Sequence, residues 1–277
     1  MATQREIQAK SILTKSGLSD YAVNCYAGCL HNCVYCYARY MRKWSGHTEP
    51  WGQYLDVKIN AADLIAREVT RKKPGAVFFS SACDGWQPAE RKYQLTRRCL
   101  KILVDAGFRV SALTKSSLIQ RDLEVFASAP DSSIGCTITT LDESLRRRLE
   151  IAASPSAERI ISLEKAGEMG IKTWAFAGPL LPYLTAEPAN IERLFARLAE
   201  LDLSSIIVDR VNFRSGVYES ITDMLRRHFP GLVPRYIRLY RDRQEYEAYA
   251  ENLEKTVREI ARGMGIESKI VMATRQS

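Results

Sequence analysis

Long apolar runs are missing from this 277-residue chain: no stretch approaches the roughly eighteen apolar residues that a membrane-spanning helix needs. Residues 1–15 are polar and lack the apolar core of a secretory signal, so the expectation is a cytoplasmic protein with no membrane partner. Histidine is scarce. The three present, His31, His47 and His228, show no metal-ligand spacing, which leaves imidazole-based metal sites without support. Neither a glycine-rich phosphate loop nor a serine-hydrolase elbow occurs, which sets aside the chemistries those motifs carry. No repeat of solenoid period and no low-complexity linker interrupts the chain, so a separate second domain has little support.

What is present is an ordinary globular composition, 46% hydrophobic and 26% charged, at a length that strand-and-helix barrels reach as one unit. Forty basic against 32 acidic residues give a net charge of +8, which suits a polyanionic partner without demanding one. Seven cysteines in a reducing compartment mean thiols or metal ligands rather than disulfides.

Three of those cysteines stand in the octapeptide Cys29-Leu30-His31-Asn32-Cys33-Val34-Tyr35-Cys36, a CxxxCxxC pattern. Three thiolates from one short loop can hold three irons of a cuboidal 4Fe-4S cluster and leave the fourth iron open to a small molecule. Zinc is the alternative. Structural zinc usually takes two CxxC-type pairs across a longer spacer, whereas here all four candidates, Cys25 included, fall within twelve residues. Spacing therefore favours the cluster.

Regular elements begin after the cysteine loop. Helical periodicity is expected at residues 61–71, 93–106, 120–127, 141–149, 156–169 and 190–201, alternating with strands at 76–81, 109–113, 133–138, 172–177 and 205–211. A sixth strand, around residues 21–24, must precede the loop. Six strand-then-helix repeats make an α/β fold, a partial (β/α)6 barrel of TIM type with parallel strands and reactive groups at their carboxyl ends. Beyond residue 214 the pattern becomes helical, so the expected division is a barrel over 1–214 and a C-terminal extension over 215–277 that packs on it. Within the extension, the basic and aromatic run from Arg235 to Arg241 reads as an amphipathic strand or helix edge, or as a surface for a nucleic-acid backbone.

With the aromatic Tyr35 between the second and third thiols, the motif becomes CxxxCxΦC and resembles that of the radical S-adenosylmethionine enzymes. The flanking residues, Asn24 to Cys29 and Tyr35 to Arg39, resemble the branch that holds spore photoproduct lyase and the DNA repair photolyase-like proteins. The resemblance implies Cys29, Cys33 and Cys36 as cluster ligands and S-adenosylmethionine on the open iron. Reductive cleavage there yields a 5′-deoxyadenosyl radical that abstracts hydrogen from a substrate. Cys25, where that branch more often has proline, is expected to be incidental.

Further site residues follow from the same resemblance. Lys115, just past a strand, is matched with the lysine near the methionine carboxylate, and Thr137 and Thr139 with contacts to the ribose and methionine parts. Tyr35 is expected to cover the adenine. Cys83 lies in the loop Phe79 to Glu90, which is rich in polar residues, glycine and proline, and takes the place of the lyase's hydrogen-donor cysteine; the alternative is a small buried hydrophobe. Glu150 and Arg159 bracket a stretch that resembles the Glu-Pro-x-x-x-x-Pro-x-x-Arg pattern of the branch, with Ile151 in place of the first proline and an ion pair closing the loop as the other reading. Cys99 and Cys136 are expected in the core.

Three functions are compatible with these residues. The first is a lyase-like enzyme acting on a nucleic-acid lesion, with DNA as partner. The second is radical modification of a protein, cofactor precursor or small metabolite. The third is a non-catalytic iron-sulfur or zinc module. Either catalytic reading requires a one-electron donor such as ferredoxin or flavodoxin.

Overall fold

The computed structural model of the chain describes residues 2–214 and 216–273. Eleven strands are present among them: β1 (Thr3–Ile7), β2 (Leu13–Lys15), β3 (Tyr21–Val23), β4 (Tyr26–Ala27), β5 (Tyr54–Lys58), β6 (Ala76–Phe79), β7 (Arg109–Thr114), β8 (Ser133–Thr137), β9 (Lys172–Leu180), β10 (Ser205–Arg210) and β11 (Ile270–Met272). The larger sheet runs β11-β10-β9-β8-β7-β6-β3-β2. All of its pairs are parallel except β2 with β3. Strands β3 and β6 to β10 are the six expected from the sequence. The sheet ends at β11 and β2 without closing, so the barrel is partial, as expected.

Alternation along these strands produces two faces. In β9, Thr173, Ala175 and Ala177 are buried, while Trp174 and Phe176 line an interior cavity; in β10, Ile206 and Val208 are buried, while Ile207 and Asp209 line the same cavity. Gly135 of β8 makes this filling possible. A Cβ there would stand 2.4 Å from the Trp174 ring, so only glycine lets the indole lie across the strand.

A second sheet, β1-β5-β4, was not anticipated. Its first strand is mostly exposed and presents no apolar period, so nothing in the residues marks it as a strand. The 3₁₀ helix Tyr37–Trp44 follows the cysteine loop.

The C-terminal region is helical, as expected, and consists of α1 (Val217–His228), α2 (Val233–Arg241) and α3 (Arg243–Gly263), with α3 packed on the helix Pro188–Ala199. The run from Arg235 is thus helical rather than extended. One further difference is β11, which pairs parallel with β10 and adds a strand to a region expected to be helical. Three residues are too few for a periodic signal; the open edge of β10 supplies the partner. The boundary expected after residue 214 falls beside Ser215, outside the described residues.

Candidate active site

The cysteine loop leaves β4 at Gly28, whose φ is +97° and whose Cβ would lie 2.6 Å from the Tyr54 carbonyl oxygen. Glycine is required there, and its turn carries the chain into Cys29. Cys29, Cys33 and Cys36 all line one cavity of about 410 Å³ at the carboxyl ends of the barrel strands. The loop is pinned from both sides. Val34 N–H donates to Leu149 O at 2.9 Å and Ala152 N–H to His31 O at 3.1 Å, while Leu30 N–H donates to the Gln87 side chain at 2.9 Å.

Among the described residues, no three His, Cys, Asp or Glu side chains stand close enough for a single metal ion. The ligands of a cuboidal cluster each meet a different iron, which suits three thiols lining one cavity. Cys25 does not join them: it is buried, with its sulfur 3.7 Å from that of Cys99.

Charge in this wall is organised by Asp84, which accepts from Thr114 Oγ1 at 2.8 Å, Lys115 N–H at 2.8 Å and Trp86 N–H at 2.9 Å. Its Oδ2 also lies 3.3 Å from Nδ1 of the buried His31. Burial alone would raise the Asp84 carboxyl, but His31 and the amide donors hold it at about 2. Burial would likewise lower the imidazole, yet Asp84 and Cys29 keep it at about 9. Against its own burial, Cys29 is pulled down by His31, while burial pushes Cys36 up to about 11. A bound metal removes the thiol proton outright. Neither His31 nor Asp84 was singled out from the sequence; the only signal was Asp84's place in the polar loop after β6.

Lys115 and Thr137 both line the cavity. Burial opposes the lysine's charge, but Cys33, Glu150 and Asp84 raise its pKa, so it stands as an ammonium 5.8 Å from the Tyr35 ring centroid. Thr137 Oγ1 is buried with no hydrogen-bond partner among the described residues. Such a hydroxyl is costly unless something fills its place, and its position beside the thiols is what a ligand-binding group would have.

Tyr35 also lines the cavity, and its hydroxyl donates to Glu150 in a fully buried cluster. Arg159 pairs with Glu150 and donates to Thr137 O and Ser154 O, each at 2.8 Å. The loop-closing ion pair is therefore present. Thr139 is absent from the cavity lining, and its hydroxyl donates to Glu150 at 3.2 Å, so it joins this cluster. Cys83 is also absent from the cavity lining: it is 2% exposed and packed in the core beneath the loop. Burial pushes its thiol well up, helped by Cys29 and Cys36. Cys99 and Cys136 are core residues.

Several relatives match in sequence. An uncharacterized protein of Methanocaldococcus jannaschii is 36% identical over 181 residues, covering 65% of this chain and 68% of that protein. An uncharacterized protein of Mycobacterium tuberculosis is 28% identical over 261 residues, covering 86% and 74%. In fold, the chain is similar to spore photoproduct lyase complexed with dinucleoside spore photoproduct, with a TM-score of 0.69 at 14% identity over 98% of this chain and 81% of that one. A lyase variant with bound AdoMet and the same dinucleoside gives 0.70 at 14% identity, covering 96% and 80%. Among the described residues no helix is long and apolar enough to cross a membrane. The model of the radical SAM superfamily matches residues 23–195, more than half of the chain, and the chain belongs to that superfamily of enzymes, which use a 4Fe-4S cluster and S-adenosylmethionine.

Proposed function

We propose that Cys29, Cys33 and Cys36 hold the cluster, that Lys115 and Thr137 bind S-adenosylmethionine beside it, and that the radical so generated acts on a nucleic-acid lesion in the manner of a spore photoproduct lyase. The observation that carries the site is the meeting of three thiols, an ammonium and an unpartnered buried hydroxyl in one cavity. A cluster bound there supplies the single electron that cleaves the sulfonium reductively. The protein's own residues bind and shield. Lys115 offers a charge-assisted contact to a carboxylate, Thr137 a hydroxyl to the ribose or methionine part, and Tyr35 an aromatic face against adenine. Thr139 supports them through Glu150. Water is kept out by the apolar wall of Phe78, Leu113, Trp174 and Phe176.

Support for a nucleic-acid substrate comes from charge and from fold. Helix α2 exposes Arg235, Arg238 and Arg241 at three-residue spacing, which sets them along one side of the helix, and Arg210 stands on the cavity wall. The fold is like that of a lyase whose structure holds a dinucleoside photoproduct. A second reading, a small metabolite, cofactor precursor or protein segment, has one observation in its favour: Asp209 also lines the cavity, and a carboxylate there repels phosphate. Cys83 keeps the S–H bond a hydrogen donor needs, and its assignment as donor requires the thiol to turn toward the cavity. Cytoplasmic placement and a ferredoxin or flavodoxin as donor belong to the same proposal, as does the division into a barrel over 1–214 and an extension over 215–277.

The test is anaerobic reconstitution followed by turnover with ultraviolet-irradiated DNA. Loss of photoproduct, with DNA binding that falls steeply with salt, supports the lesion reading. Cleavage of S-adenosylmethionine without DNA affinity moves the proposal to the second reading.

A further inference from the structure

The residues of the cysteine loop alternate between two concave surfaces. Cys33 and Tyr35 line the reaction cavity, whereas Asn32 and Val34, the residues between and before them, line a separate groove of about 770 Å³ on the other side. Trp51 lines both. The wall between the groove and the cluster-binding thiols is therefore one strand of backbone thick. The 3₁₀ helix Tyr37–Trp44 begins at the third thiol, with Cys36 as its N-cap, and forms part of the groove's rim.

Charge on this groove is net positive. Arg39, Arg42, Lys43 and Arg227 line it against two carboxylates, Glu219 and Asp223. Arg42, Lys43 and Arg227 are exposed, and Tyr40, also in the lining, adds an aromatic face. The reaction itself needs one electron per cleavage from outside, and in the proposed function S-adenosylmethionine and substrate take the opposite face of the loop. Electron transfer falls off steeply with distance, so the donor must come close to the thiols without entering the reaction cavity. This groove satisfies both conditions.

Resting on the proposed function, we infer that the groove backed by Asn32 and Val34 is the docking surface for a small acidic one-electron carrier protein, steered by Lys43, Arg42 and Arg227. In the transfer the carrier's flavin or iron-sulfur centre is oxidised by one electron and the cluster is reduced by one; no bond is made or broken at the interface. Long-range steering by exposed charges is an on-rate effect that salt suppresses.

The test uses the cluster-loaded protein with flavodoxin and, separately, a plant-type ferredoxin. Wild type is compared with the charge reversals Lys43→Glu and Arg227→Glu, singly and together; Arg42 is left intact because it holds the Thr48 and Glu49 carbonyls. Binding is measured against ionic strength, and cluster reduction is followed by absorbance with the carrier and with dithionite. The expected result is saturable, salt-sensitive binding of at least one carrier to wild type. The double reversal should weaken it tenfold or more and slow carrier-driven reduction to match, with dithionite reduction unchanged. Failure of both carriers to bind wild type, or a double variant that binds and is reduced like wild type, overturns the inference. So does loss of DNA binding in the double variant with carrier binding intact, which would give the groove to nucleic acid. Absence of 5′-deoxyadenosine from a fully loaded, dithionite-reduced protein would instead sink the proposed function, a separate readout.

Discussion

The buried Glu150–Arg159 pair makes a prediction whose size can be worked out. Both side chains are wholly excluded from solvent, and Arg159 satisfies Glu150, Thr137 O and Ser154 O at once. Replacing Arg159 by Met keeps most of the volume but takes from the buried Glu150 carboxylate its ion-pair partner, leaving it the Tyr35 and Thr139 hydroxyls, and leaves two carbonyls short of a donor. Breaking a buried pair from one side costs about 3–5 kcal/mol, and the carbonyls push toward the upper end. At about 2–4 °C per kcal/mol for a large domain, the midpoint should fall by roughly 6–20 °C. The assay is anaerobic thermal and urea unfolding of the apoprotein. The paired variant Arg159→Met with Glu150→Gln should recover a large part of the loss, because the buried charge is gone. A loss below about 1 kcal/mol, or no recovery in the pair, would rule out a dominant Glu150–Arg159 contribution. Either result would mean that Glu150 is compensated elsewhere, with Lys115 the next cation acting on it.

Other perturbations read the site directly. Replacing Cys29, Cys33 or Cys36 singly by Ala should abolish the cluster, measured as bound iron and its visible absorbance, whereas Cys25→Ala should retain it. Lys115→Ala should weaken S-adenosylmethionine binding by about 1.5–3 kcal/mol, the worth of a charge-assisted contact; unchanged affinity by calorimetry returns the lysine to a structural role. Gly135→Ala should cost about 1–3 kcal/mol, since its methyl meets the Trp174 ring; urea unfolding at wild-type stability would contradict that packing. Cys83→Ala should leave 5′-deoxyadenosine production intact while diverting the product radical, and wild-type products at wild-type rate would make Cys83 a packing residue.

The six barrel strands were legible because each is a short apolar run bounded by glycine, proline or polar turns, and because strand and helix alternate. The small sheet was not, since Thr3–Ile7 exposes most of its side chains and its pairing with Tyr54–Lys58 is purely tertiary. The thiol motif could be read whole from its spacing. Lys115 and Thr137 were pointed to by the family resemblance and do line the cavity, but the direction of Cys83 could not be read. Ser80 has φ +71°, a left-handed step that breaks the alternation after β6, so counting residues past Phe79 no longer tells which face a side chain takes. Thr139 likewise lies beyond the last residue of β8, and its hydroxyl follows Glu150. The His31–Asp84 contact joins residues more than fifty positions apart, and nothing local announces it.

Anaerobic reconstitution of the chain with iron and sulfide, followed by single-turnover reduction in the presence of S-adenosylmethionine, probes the cluster chemistry most directly. The expected result is four irons per chain and formation of 5′-deoxyadenosine and methionine that requires the reductant, Cys29, Cys33 and Cys36. A fully loaded, reduced protein that leaves S-adenosylmethionine intact would contradict it.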